Sequence, residues 1–224
     1  SYILLLSLEA ASAQMATDGP EKLTRMLELT AHMKEKLNRE TPLRFLELDE
    51  LPLQNAAGQD ISKLYLRTAL YGLSGFQAAN MLRLHGLEPE LADSGGVLLM
   101  LTIADEEEDF EAIELCLRSF AASLDTTAEP LPLLTDAPWA AMQPNIALTP
   151  REAWYASNEL CPFNQSVGRI CGETITVYPP GVPVLLPGEM IDVEILEYLL
   201  EVKKAGGNIV CDDHTLTTVT VIKQ

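Results

Sequence analysis

The chain has 224 residues, 47% of them hydrophobic, and carries 15 Lys and Arg against 33 Asp and Glu, a formal net charge of −18 at pH 7. That length buries a sizeable core as one large or two small domains. The surplus of carboxylates argues against a nucleic-acid binder, since little basic surface is available to neutralise phosphates. It favours encounter with cationic amino acids or polyamines, though only weakly once salt screens it.

The opening apolar run Tyr2-Ile3-Leu4-Leu5-Leu6 lacks a basic flank and is interrupted by Glu9, so it reads as neither a signal peptide nor a membrane span. Residues 3–16 instead read as a helix that is apolar on most sides and expected to be largely buried. Thr17-Asp18-Gly19 breaks it, and Pro20 suits the first position of a second helix in which Leu23, Met26, Leu27, Met33 and Leu37 share a face. Residues 43–48 are a strand candidate, residues 49–60 a loop, and residues 63–69 a second strand. Ser74-Gly75-Phe76-Gln77 has the form of a capping box, opening a helix that Gly86 ends. Residues 90–93 and 97–104 read as a hairpin around Ser94-Gly95-Gly96. Asp105 is the expected cap of a helix whose first turn, Glu106-Glu107-Glu108-Asp109, places carboxylates at the positive end of the helix dipole. A solvated first turn accounts for that acidic run better than a metal site does.

Four cysteines, Cys116, Cys161, Cys171 and Cys211, show no CxxC spacing and no histidine pair beside them. The pattern argues against zinc and fits unpaired thiols in a reducing cytoplasm. From 125 to 145 the chain is rich in proline (Pro130, Pro132, Pro138, Pro144) without periodicity and reads as a linker, with Leu133, Leu134 and Trp139 able to pack it. Thr149-Pro150-Arg151-Glu152 restarts structure with a hydroxyl cap, a proline at the first helical position and a glutamate at the third. Asp192 caps a last helix carrying Ile195, Leu196, Leu199 and Leu200 on one side. Gly206-Gly207 stops it, and residues 208–211 and 218–223 close the chain as strands.

The most constrained stretch is Thr176-Val177-Tyr178-Pro179-Pro180-Gly181-Val182-Pro183-Val184-Leu185-Leu186-Pro187-Gly188-Glu189. Each Pro-Gly pair is a turn signal, because proline presets φ at the second residue of a turn and glycine accepts positive φ at the third. Residues 182–186 between them form a short extended segment, and Pro183 makes that segment a poor central strand.

Preceded by Val167-Gly168-Arg169-Ile170 and Glu173, and followed by Ile191 and Glu194 to Leu199, this string resembles the C-terminal region of the bacterial Orn/Lys/Arg decarboxylases. These are pyridoxal-phosphate (PLP) enzymes of the aspartate-aminotransferase-like fold. The family's usual string has proline before the tyrosine, where this chain has Val177. The resemblance extends over nearly the whole length: Ser1-Tyr2 with Leu8-Glu9-Ala10-Ala11, then Asp60 to Lys63, Gly72-Leu73, Gly75 and Pro89 to Asp93, and finally Thr149 to Ala153.

It implies an α+β chain in three parts. Residues 1–125 would be linking helices and the small domain of a fold-type-I PLP enzyme, with long helices and a small antiparallel sheet. Residues 126–147 would be a proline-rich linker, and residues 148–224 a C-terminal α/β decarboxylase domain. It also implies a Schiff-base lysine preceded by histidine, an aspartate on the pyridine nitrogen and a histidine stacked on the ring. No His-Lys dipeptide occurs here; the lysines are Lys22, Lys34, Lys36, Lys63, Lys203, Lys204 and Lys223. Those residues are therefore expected to precede Ser1, leaving this chain with no catalytic residue and no activity alone.

Ser1 and Tyr2 match the end of a family stretch that lies near the PLP phosphate across the dimer interface, which makes them the expected cofactor-binding residues. Glu173 and Glu189 flank the proline-rich corner and are expected to line the entrance for a substrate's distal cation, since a placed carboxylate recognises ammonium or guanidinium well. For each glutamate a structural hydrogen bond or plain exposure is the competing reading. Arg169 is expected to tie the C-terminal domain together. The implied partners are a basic amino acid (arginine, lysine or ornithine), an upstream PLP-binding domain and at least one further copy, as in a homodimer. No metal, nucleic acid or membrane is expected. The implied reaction gives CO2 and a polyamine or its precursor. A different class of function stands beside this one: a non-catalytic interaction or regulatory module that keeps the architecture alone.

Overall fold

Two helices, α1 (Tyr2–Thr17) and α2 (Gly19–Glu40), open the computed structural model, which describes residues 1–47, 50, 58–131, 145–178 and 181–223. The predicted break falls at Asp18, and Pro20 lies in the first turn of α2. Met26, Thr30, Met33 and Leu37, three and four residues apart, form the buried face of α2. Thr30 donates its hydroxyl to the Met26 carbonyl at 2.7 Å, so the one polar group on that face is satisfied. Helix α1 departs from expectation. None of its residues is buried, and Tyr2, Ile3, Leu4, Leu5, Leu6 and Leu8 are 60–86% exposed. Among the described residues the main packing partner of α1 is α2, Met15 lying against Gly19.

An antiparallel sheet follows, built from β1 (Lys63–Arg67), β2 (Leu91–Ala92) and β3 (Gly96–Met100) in the order β1-β3-β2. Helix α3 (Gly75–Leu84) packs on β2 and β3, and α4 (Glu107–Ala122) packs against α2 and α3. Gly96 faces β1 so closely that a Cβ there would lie 2.0 Å from the Leu66 carbonyl oxygen, which explains glycine at the hairpin. The segment expected as a strand over 43–48 makes only one bridge, Phe45 to Leu66. The capping box at Ser74 and Gln77 is present in both directions, 3.2 and 3.0 Å. Helix α4 starts one residue later than expected: Glu106 is its cap, in a reciprocal box with Asp109, while Asp105 accepts from the Thr102 amide.

From residue 145 on, α5 (Pro150–Tyr155) opens with the predicted box at Thr149 and Glu152. Strand β4 (Asn158–Pro162) pairs with β8 (Thr218–Ile222), and a second sheet has the order β6-β5-β7, from β5 (Ile175–Tyr178), β6 (Val182–Leu185) and β7 (Asn208–Val210). Pro183 is tolerated because β6 is an edge strand. Every strand pairing in this half is antiparallel among the described residues, so it is α+β and not the α/β arrangement expected. Helix α6 (Val193–Lys204) is capped by Asp192, which accepts from the Ile195 amide at 3.0 Å. It buries Ile195, Leu196, Leu199 and Val202; Leu200, expected on that face, is 43% exposed.

One apolar cluster runs from Met26 and Phe120 through Phe76 to Ile175 and Val221, so both halves share a core. The Ser74 hydroxyl crosses between them to the Ala205 carbonyl at 2.7 Å. Most of the expected loop over 49–60, the linker prolines Pro132, Pro138 and Pro144 with Leu133, Leu134 and Trp139, and Pro179-Pro180 lie outside the described residues. No described helix is long and apolar enough to cross a membrane.

Candidate functional site

The proline-rich corner organises the second half of the chain. Gly188 has φ +98°, and the Glu189 amide donates to the Leu186 carbonyl at 3.1 Å, closing the predicted turn at Pro187-Gly188. Three segments cross here. Gly188 donates to the Cys171 carbonyl at 2.8 Å, and its own carbonyl accepts from Ala147 and Leu148 at 2.9 and 3.0 Å. Cys171 in turn donates to the Glu189 carbonyl at 2.8 Å. Gly181, of the other Pro-Gly pair, has φ +90° and donates to the Val177 carbonyl at 3.0 Å.

The two glutamates that flank the corner are held differently. Glu173 is buried, and its carboxylate accepts from the backbone amides of Asp212 and Thr220, each at 2.6 Å. Both oxygens are thus engaged in joining the loop after β7 to β8. Glu189 is half-buried and accepts from the Leu186 amide through Oε2 at 2.8 Å; Oε1 has no hydrogen-bond partner among the described residues. Of the pair, Glu189 keeps the freer oxygen for a cation. Arg169 bonds Glu159 at 2.6 Å and the Ile222 carbonyl at 3.1 Å, tying the β4–β8 sheet together.

Burial, with Glu173 next to it, pushes the Cys171 thiol up to about 12. Burial together with the carboxylates of Glu173, Asp213 and Asp212 pushes Cys211 up to about 11. All four cysteines are unpaired, and the three at 116, 161 and 171 are buried. These are not activated nucleophiles. No group of three or more His, Cys, Asp or Glu able to hold a metal occurs among the described residues.

Ser1 and Tyr2 are exposed at the amino end of α1, with no side-chain cap bond from Ser1. None of the seven lysines is buried. Lys34 pairs with Glu47 at 2.7 Å, Lys36 with Glu114 at 2.8 Å and Lys63 with Asp60 at 3.4 Å, while Lys203 donates to the Thr215 carbonyl. A lysine that tethers PLP must be desolvated and free to attack an aldehyde. The lysines of this chain, solvated and in part ion-paired, do not fit that requirement.

A cleft of about 420 Å3 that sequence reasoning did not foresee lies where the two halves meet, between α3 and the end of β5. Phe76, Asn80, Arg83, Glu88, Tyr178 and Asn208 line it. Arg83 Nε bonds both Glu88 oxygens at 2.8 and 2.9 Å. No local motif announces this cleft. Tyr178 and Asn208 become neighbours only through the β5–β7 pairing.

Residues 133–209 match the family model described as Orn/Lys/Arg decarboxylase, C-terminal domain. Along its whole length the chain is similar to the C-terminal portion of arginine decarboxylases, and its second half carries the C-terminal domain of the Orn/Lys/Arg decarboxylase family. It is 33% identical over 227 residues to the arginine decarboxylase of Halalkalibacterium halodurans, the match covering 100% of this chain and 46% of that protein. To the arginine decarboxylase of Bacillus subtilis it is 31% identical over 229 residues, with the same coverage, 100% and 46%. The chain thus spans about half the length of the curated relatives it matches. Its fold is that of the corresponding part of the constitutive lysine decarboxylase of Escherichia coli (TM-score 0.71, 20% identity, 100% of this chain and 44% of that one). Lysine decarboxylase A of Pseudomonas aeruginosa is similar in the same way (TM-score 0.68, 17% identity, 97% and 42%).

Proposed function

We propose that these residues are the small and C-terminal domains of a PLP-dependent decarboxylase of a basic amino acid, divided as 1–125, a linker over 126–147, and 148–224. The full enzyme acts in the cytoplasm as a homodimer or larger assembly and converts arginine, lysine or ornithine to CO2 and a polyamine or its precursor. The observation that carries the reading is similarity along the entire chain to arginine decarboxylases of about twice its length. That makes arginine the first substrate to test. When bound, PLP supplies the electron sink for the α-carbon. This chain supplies shape and charge. Ser1 and Tyr2 border the cofactor phosphate of a partner copy. Glu189 offers its freer oxygen to the substrate's distal cation, and Glu173 supports the entrance by fixing the loop after β7.

The test is CO2 release with added PLP from arginine, lysine and ornithine, on the 224-residue chain and on the same chain extended at its amino end to the length of the relatives. The extended chain releases CO2 and the shorter one does not. An extended chain inert towards all three amino acids overturns the reading. A reading frame that offers no extension returns the chain to the class of non-catalytic modules.

A further inference from the structure

Helix α1 is the strongest feature that the site leaves unexplained. Residues 2–6 are all large and apolar, and at about 100° per residue five successive positions pass every side of a helix. Tyr2, Ile3, Leu4, Leu5, Leu6 and Leu8 are 60–86% exposed, and no residue of α1 is buried. A helix apolar on all sides belongs inside a protein or a membrane. Membranes fit poorly. At 16 residues α1 falls short of the ~20 that span a bilayer. Its one charged side chain is Glu9, so it also lacks the basic face of a helix lying on a lipid surface. A second copy of α1 packed alongside would cover one stripe and leave the opposite side in water.

An enclosing body is required, and the relatives indicate one. More than half their length lies outside the match. With the C-terminal domain at residues 133–209, that length falls on the amino side, where α1 is the first element. We propose that α1 from Ile3 onward is a buried docking helix, enclosed by the amino-side half of the same polypeptide, so that the two halves of the enzyme are held by this contact and only Ser1 and Tyr2 at its amino end face the partner copy. This rests on reading the chain as one portion of a longer enzyme.

The experiment compares the 224-residue chain with the amino-extended chain. Backbone amide exchange of residues 2–10 is followed in both without substitution. Thiol labelling of Leu5→Cys and, separately, Leu8→Cys is followed in both, with the buried native cysteines as the slow background. The expected result is slowing of at least about tenfold in the extended chain, independent of protein concentration. Equal exchange and equal labelling in both chains overturns the proposal. Slowing in the 224-residue chain that grows with concentration also overturns it, since a second copy is then the cover. CO2 release by the same extended chain separates the two claims. Decarboxylation with an open α1 overturns the docking alone, and a protected α1 without decarboxylation overturns the functional reading alone.

Discussion

Replacing Gly188 by alanine tests the corner most sharply, because the structure gives the substitution two separate costs. At φ +98° a side chain is strained by about 1–3 kcal/mol wherever there is room for it. There is no room here: a Cβ on Gly188 would lie 2.3 Å from the Leu148 carbonyl oxygen and 3.0 Å from its carbon, both backbone atoms. The 147–148 segment must then move away, weakening its two amide bonds to the Gly188 carbonyl, at about 0.5–1.5 kcal/mol each. The total is about 2–6 kcal/mol. Gly181→Ala is the internal control. It has φ +90°, but its Cβ would meet only the half-exposed Tyr178 ring at 3.2 Å, which can swing aside. Its loss is the conformational ~1–3 kcal/mol alone. Thermal and urea unfolding followed by circular dichroism measure both. For a chain of this length each kcal/mol lowers Tm by about 2–4 °C. Equal losses for the two variants, or a smaller loss at Gly188, would refute the crossing of segments described here.

Glu173→Gln sets an amide NH2 against one of two buried backbone donors, so stability should fall by about 1.5–3 kcal/mol while the KM of the extended enzyme holds; a raised KM with unchanged stability would return Glu173 to the substrate entrance. Asp213 is held well below the usual carboxylate range by hydrogen bonds from the Thr215 side chain and the Thr218 and Thr215 amides. Because its folded-state pKa is depressed, its contribution is complete above the unfolded value near 3.8 and is lost as pH falls below it. Acid titration of stability should therefore be shallower below about pH 4 in Asp213→Asn than in the parent. Native Cys171 and Cys211 should resist alkylation at pH 7.5 and react promptly in urea; fast native labelling would contradict the burial of Cys171 or the raised thiol pKa of part-exposed Cys211. The 224-residue chain should also bind a hydrophobic dye through the exposed α1, and a chain that binds none would contradict that exposure.

Local chemistry was readable wherever one short stretch contains the whole cause. The boxes at Ser74 with Gln77 and Thr149 with Glu152, the Asp192 cap and the positive φ of Gly86, Gly181 and Gly188 all follow from residues within four positions of one another. What escaped depends on partners distant in sequence. The role of Glu173 is invisible without Asp212 and Thr220, 39 and 47 residues away. Strand β4 has three of its first four residues in solvent and no clear alternation, so its pairing with β8 left no periodic signal. The apolar composition of α1 reads as that of a buried helix, yet among the described residues only α2 packs substantially against it and none of its own residues is buried.

Under the proposed function this chain shapes a PLP decarboxylase without supplying the lysine that tethers the cofactor. Borohydride reduction after incubation with PLP and dialysis, followed by peptide mapping, tests it directly on the 224-residue and extended chains. The predicted result is one stoichiometric pyridoxyl-lysine in the extended chain, outside these 224 residues, and only sparse, scattered labelling of the shorter chain. A single stoichiometric adduct on Lys22, Lys34, Lys36, Lys63, Lys203, Lys204 or Lys223 would contradict it.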